Sequence, residues 1–263
     1  MTLAATVEGI GLVGPGLAGW SASRAILAGS APHAPGATVI PLPEALPATE
    51  RRRSGKTVRL ALAAGLEAAR MAGHDAGTLA AIFASSGGES ENCHAICEAL
   101  ASADRLISPT RFHNSVHNAA AGYWGIATGA MAPSDAIGAF DASFAAGLLE
   151  ALVRLATDPG QPVLLIAYDT PYPHPLDVAR PIADAFAVAL VLAANGAKSG
   201  PRIEAELDDR AVEAMDDASL EAVRRGIPAA RSLPLLRALA LDATGEAALE
   251  YLDGRSLRVR VSP

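Results

Sequence analysis

The side chains with chemical potential fall in two groups. Cys93, Cys97, His113 and His117 form two i, i+4 pairs. On a helix each pair would present two ligands on one face, as a zinc site needs. The spacing is wider than the Cys-x-x-Cys knuckle of structural zinc sites, and small thiols in an Ala-rich helix are more often core residues. No metal is expected. The second group is Asp141-Ala142-Ser143-Phe144-Ala145, placed between a strand-like and a helix-like segment. Ser143 there invites a nucleophile reading, but the flanking glycines of a Gly-x-Ser-x-Gly elbow are missing. An oxygen-bearing side chain at a helix start is first a cap for orphaned N–H groups, so Asp141 or Ser143 is expected to cap. A second reading joins Ser143 and Asp141 to His113 or His117 as an acyl-thioester transferase or hydrolase, which requires a base within hydrogen-bond reach of the hydroxyl. Gly9-x-Gly11-x-x-Gly14 has dinucleotide-fingerprint spacing, but its glycines lie inside the strand, Pro15-Gly16 interrupts the helix start, and the next acid is Glu44. No cofactor is expected.

The elements that must position these residues alternate between strand and helix. Apolar runs at 7–13, 79–84, 135–140, 162–168 and 186–193 read as strands, and their continuous character predicts sheets covered on both faces. Helices are predicted over 20–27, 57–71, 92–101, 114–128 and 143–155. Residues 31–49 are proline-rich and read as an extended connection with a small strand at 38–40. The polar loop Ser85-Ser86-Gly87-Gly88 follows the second strand. After Gly196 the composition shifts: 202–207 and 256–261 alternate like strands, with helices expected at 217–225 and 232–241. Strands alternating with helices predict an α/β layered fold.

Composition narrows the function classes. The chain has 263 residues, 51% of them hydrophobic, and a net charge of -7. The acidic balance lacks the Lys/Arg excess of a nucleic-acid binder, and the apolar content excludes intrinsic disorder. Two cysteines cannot form a disulfide scaffold and are expected to be free thiols in a reducing compartment. The start, MTLAATVEGIGLVG, has no basic residue before its apolar part and does not read as a secretory signal. The longest apolar run, 185–194, is too short to span a bilayer. A cytoplasmic protein without membrane insertion is expected.

Residues 115–151 carry a resemblance. Asn118, Ala121-Gly122, Gly129 and Pro133-Ser134 stand in the order and spacing found in β-ketoacyl synthases, the condensing enzymes of fatty-acid and polyketide synthesis. The opening strand with its Gly-Pro turn, the Ala-rich helix over 60–72, the loop 85–88, and Arg180-Pro181 with the run 183–193 extend the likeness over residues 5–196. The resemblance implies a thiolase-like layered αβα fold. Residues 1–196 would form the synthase-like N-terminal domain, and 197–263 a shortened C-terminal α/β extension.

Two departures decide what the resemblance implies for activity. Counting from Pro133-Ser134, Asp141 occupies the position of the family's nucleophilic cysteine. The family's two histidines come from the second half of the chain, and the last histidine here is His174. The chain therefore resembles the short chain-length-factor subunits of aryl-polyene-type ketosynthase pairs, which have no nucleophile and pair with an active, full-length ketosynthase as a heterodimer. By that resemblance no residue is catalytic. Arg111, Phe112, Ser115, Val116, Asn118 and Tyr123 would line the partner contact and the floor of its acyl tunnel. An acyl-carrier protein is a further implied partner, with Arg51-Arg52-Arg53 and Lys56 as the dense basic cluster. A homodimeric carrier-protein-binding scaffold is a third reading.

Overall fold

The computed structural model describes residues 2–194 and 200–263. In chain order, β1 (Leu3–Gly14) and the short β2 (Leu17–Ala18) lead into α1 (Trp20–Leu27); α2 (Ala48–Arg53) and α3 (Lys56–Ala72) precede β3 (Ala80–Ala84). The helices α4 (Ser90–Ala101), α5 (Pro109–Asn114) and α6 (Ala119–Thr128) lead to β4 (Ser134–Ile137). Then come α7 (Ser143–Thr157), β5 (Val163–Asp169), α8 (Leu176–Ala179) and β6 (Phe186–Ala193). Beyond residue 200 stand β7 (Arg202–Asp208), α9 (Ala218–Gly226), α10 (Leu233–Ala240), β8 (Gly245–Glu250) and β9 (Ser256–Ser262).

The strands join in one mixed sheet of order β4-β3-β5-β6-β1-β7-β9-β8, with β2 on β1. β3 pairs in parallel with β4 and β5; the other pairs are antiparallel. Every residue of β3, β5 and β6 is buried. Their continuous apolar sequences match the two covered faces that produce them. β1 serves two neighbours. Residues 3–6 pair with β7 and residues 6–13 with β6, and the β6 pairing has a register shift between Val7 and Gly9.

The glycines of β1 have a packing role. A Cβ on Gly9 would lie 2.2 Å from the Ala68 carbonyl oxygen, and one on Gly11 1.9 Å from that of Ala64. α3 thus rests directly on the strand, with Ala64, Ala68 and Ala72 buried toward it. The dinucleotide-like spacing records this close approach.

Two apolar clusters show the layering. One face of β3, β5 and β6 packs with α3 and α6. The opposite face packs with α1 and α7, and the same cluster continues through α10 to the buried side of β7, β8 and β9. α7 lies on β5 and β3, while α10 lies on β8 and β9 and touches α1. α1, α7 and α10 thus cover one face of the continuous sheet and α3 and α6 the other, the layered αβα arrangement expected. The face of β7, β9 and β8 turned away from α10 is charged: Glu204 lies opposite Arg260, and Glu206 opposite Arg258.

The structure departs from several expected elements. Residues 38–40 form no strand; Thr38 is instead tied by its N–H to Asp184 Oδ2 (2.9 Å) and by its hydroxyl to the Ala185 carbonyl (2.7 Å). The expected helix over 114–128 breaks at Ser115–Asn118 into α5 and α6, with Ser108 capping α5 through Arg111 N–H. The strand expected over 135–140 ends at Ile137. β8 was not anticipated. The boundary expected at Gly196 lies outside the described residues, and strands on both sides of it join one sheet.

Candidate functional site

The turn from β4 into α7 is built by backbone and hydroxyl bonds. Gly138 fits where a Cβ would meet His117 Nε2 at 3.2 Å and the Ser85 carbonyl at 3.3 Å. Phe140 takes a left-handed backbone (φ 53°), a strained state for a bulky side chain. The Ser143 hydroxyl donates to the Phe140 carbonyl (2.7 Å) and accepts from Ala139 N–H (3.0 Å), which closes the turn. Ser143 is buried and its proton is committed to backbone, so it is no nucleophile poised beside a base. The expected cap is corrected as well: the N-cap residue of α7 is Ala142, and no side chain caps it.

Asp141 is occupied by cations. Arg180 Nη2 donates to its Oδ1 at 2.6 Å, and Arg231 Nη2 to its Oδ2 at 3.5 Å. The Arg180 guanidinium also lies 3.5 Å above the Phe140 ring centroid, a favourable cation–π distance. Arg231 pairs onward with Glu250. Arg224 bonds Glu250 (2.8 Å) and grips Glu221 with two 2.7 Å contacts. The Arg224 hydrogen bonds hold the Glu221 carboxyl down to about 2. Arg180 and Arg231 stand 39 and 90 residues from Asp141, so their convergence is a product of topology.

Behind this turn, the loop after β3 is fastened to the end of β5. Asp169 Oδ1 accepts from Ser86 N–H (2.8 Å), Ser86 Oγ (2.7 Å) and Ser85 Oγ (3.2 Å). Burial pushes its carboxyl up to about 6, against those hydrogen bonds. Glu89, 3% exposed, is pushed up to about 7, first by burial and then by the charge of Glu91, with Thr57 and Lys56 opposing. Burial likewise raises the Tyr168 phenol. The sequence marked the loop 85–88 but missed Glu89 and Asp169; an acid closing a wholly apolar strand was the available signal for Asp169.

The histidines do not join Ser143. His113 is exposed on α5, and His117 Nε2 lies 3.1 Å from the Ser85 carbonyl, to which it must donate. Cys93 and Cys97 are exposed on α4, not buried as expected, and the Cys93 thiol donates to the Ser115 carbonyl at 3.1 Å. Burial, then Cys97 and Glu89, raises the Cys93 thiol. Among the described residues no group of three His, Cys, Asp or Glu side chains is placed to hold a metal ion. The basic cluster is largely engaged: Arg53 pairs with Glu50, Lys56 with Glu91, and Arg51 donates to the Glu44 and Leu46 carbonyls.

A separate surface gathers most of the residues expected to meet a partner. Arg111, Phe112, Val116 and Asn118 are exposed and Ser115 is half-buried. Phe112, Val116 and Asn118 line one shallow concavity with Gly122 and Ile126. Met131 is 95% exposed, and among the described residues β4 pairs only with β3, so no described strand lies on its other edge. Tyr123 also lines this concavity, although most of its side chain is buried in the α3 cluster, and its hydroxyl donates to Asn114 Oδ1 at 3.2 Å.

Residues 20–249 match the β-ketoacyl synthase N-terminal domain, and the chain belongs to that family. Its fold, thiolase-like, is that of one chain in the complex of the ketosynthase ApeO with its chain length factor ApeC from Xenorhabdus doucetiae. That match has 23% identity and a TM-score of 0.75, covering 98% of this chain and 99% of the other. It is also similar to a chain of the ishigamide ketosynthase/chain length factor (15% identity, TM-score 0.69, 98% and 99% covered). A third similar chain comes from AntDE:AntF, a type II polyketide acyl-carrier protein in complex with its ketosynthase (11% identity, TM-score 0.74, 100% and 99% covered). No curated protein matches.

Proposed function

We propose that this chain is a non-catalytic, chain-length-factor-type subunit that pairs with an active, full-length β-ketoacyl synthase and shapes its acyl tunnel. The carboxylate at the mouth of α7 carries this reading. A condensing enzyme holds its growing chain as a thioester on a thiolate. Asp141 has both oxygens engaged by arginines, and the two thiols stand elsewhere, on α4. The condensing chemistry must then come from another chain.

The face formed by α5, α6 and β4 supports the pairing. Exposed Phe112, Val116, Ile126 and Met131 lie close in sequence to the β4 edge on which no described strand lies, a combination that soluble monomers usually avoid. A synthase covering it would bury the apolar side chains, with Arg111, Ser115 and Asn118 at the polar rim. An acyl chain reaching this wall is recognised by excluded volume, each misfit costing ~1–3 kcal/mol. Phe112 and Val116 set the length limit in this reading. The product is a polyketide of the aryl-polyene or fatty-acid-like type, made in the cytoplasm. No described helix is long and apolar enough to cross a membrane.

Co-expression with a full-length β-ketoacyl synthase from the same genome, followed by size-exclusion chromatography, tests the reading. A stable 1:1 complex is expected. Separate elution of the two chains, or a homodimer that ignores the synthase, overturns it.

A further inference from the structure

Asp141 holds more than an inert vacancy in a lost active site. It is the first anion of a charge chain that runs Arg180, Asp141, Arg231, Glu250, Arg224, Glu221, with links of 2.6, 3.5, 2.8 and 2.7 Å around the Arg231–Glu250 pair. Three cations alternate with three anions. The first two residues belong to the part of the chain before residue 195; the other four come from the 3₁₀ turn Pro228–Ser232, the end of β8, and α9. The chain is sheltered: the Arg224 side chain is 6% exposed and that of Arg231 16%. The Nε atoms of Arg180 and Arg231 are buried without a hydrogen-bond partner, so neither guanidinium can spare its carboxylate partner without an added desolvation cost.

We propose that Asp141 is a clasp: it pins the segment 228–250 over the mouth of α7, so that one side chain both closes the would-be nucleophile site and secures the C-terminal part. Capping cannot be its role, because no side chain caps α7. The packing agrees. The turn Phe140–Ala142 lies against the turn Pro228–Ser232 and β8, and α7 itself meets the Pro228–Ser232 turn. Arg180 closes the near side by lying over Phe140. The clasp is intramolecular and stands whether or not a synthase partner is found.

The test uses the full chain. Asp141→Ala leaves two guanidiniums facing a hole of carboxylate size. Its Tm is expected to fall by about 5 °C. Amide exchange should quicken about tenfold in 228–232 and 245–250, far from residue 141 in sequence. Formate should restore protection there, while chloride at equal ionic strength should not. Exchange that quickens only in the first turn of α7, or formate acting no better than chloride, overturns the clasp. If Asp141→Ala yields no folded protein, a double-mutant cycle of Asp141→Asn with Arg231→Gln decides. Non-additive effects support the clasp and additive ones overturn it.

Discussion

The two ends of the sheet are built on opposite principles. β3, β5 and β6 are buried on both faces and contain almost nothing but apolar residues. β7, β8 and β9 bury one face only. Ile203, Ala205, Ala247, Val259 and Val261 turn inward, while Arg258 on the outer side meets Glu206, Asp208 and Glu246. The first end is held by exclusion of water. The second is held by water exclusion on one side and by a charge ladder on the other, where each pair contributes little because solvent screens it. The outward face of β7, β9 and β8 is thus built from ions rather than covered by a helix layer.

Substitutions can break this contrast in order of size. Leu190→Ala in β6 opens a cavity between two packed layers and should cost about 3 kcal/mol in denaturant unfolding; a loss below that of any outer-face change would erase the distinction. Next is pH. Burial holds the Glu89 carboxyl at about 7 in the folded chain, well above the usual glutamate range, so the protonated form is favoured by folding. Stability is full at low pH and is lost as pH rises through about 7. Between pH 5.5 and 8 the loss from this group should be about 2 kcal/mol, and Asp169 acts in the same direction. Glu89→Gln should flatten that part of the profile and raise the melting temperature at pH 8. The smallest effect belongs to the ladder: Arg258→Ala should cost about 1 kcal/mol or less, and the difference from wild type should shrink further in high salt.

The same contrast explains what could be read from the sequence. The strands at 79–84, 162–168 and 186–193 were legible to within a residue or two, because burial on both faces writes an uninterrupted apolar run. β8 was not: Gly-Glu-Ala-Ala-Leu-Glu alternates weakly, and alanine marks neither face. The helix over 114–128 was overextended because its small residues suit a helix, while the break at Ser115–Asn118 is set by tertiary contacts such as His117 with Ser85. Asp141 was picked out by counting along a motif. Its arginines were not, since they come from a loop and a 3₁₀ turn that only the folded topology brings together.

The divided pairing of β1 bears on how the molecule assembles during synthesis. Residues 3–6 are translated long before β7, the strand that will bond them, and β7 in turn waits for β9. Until then the early part of β1 presents an unmatched edge, a period when intermolecular strand exchange competes with correct closure. A fusion or deletion at the amino end would therefore be felt first at the opposite terminus of the polypeptide.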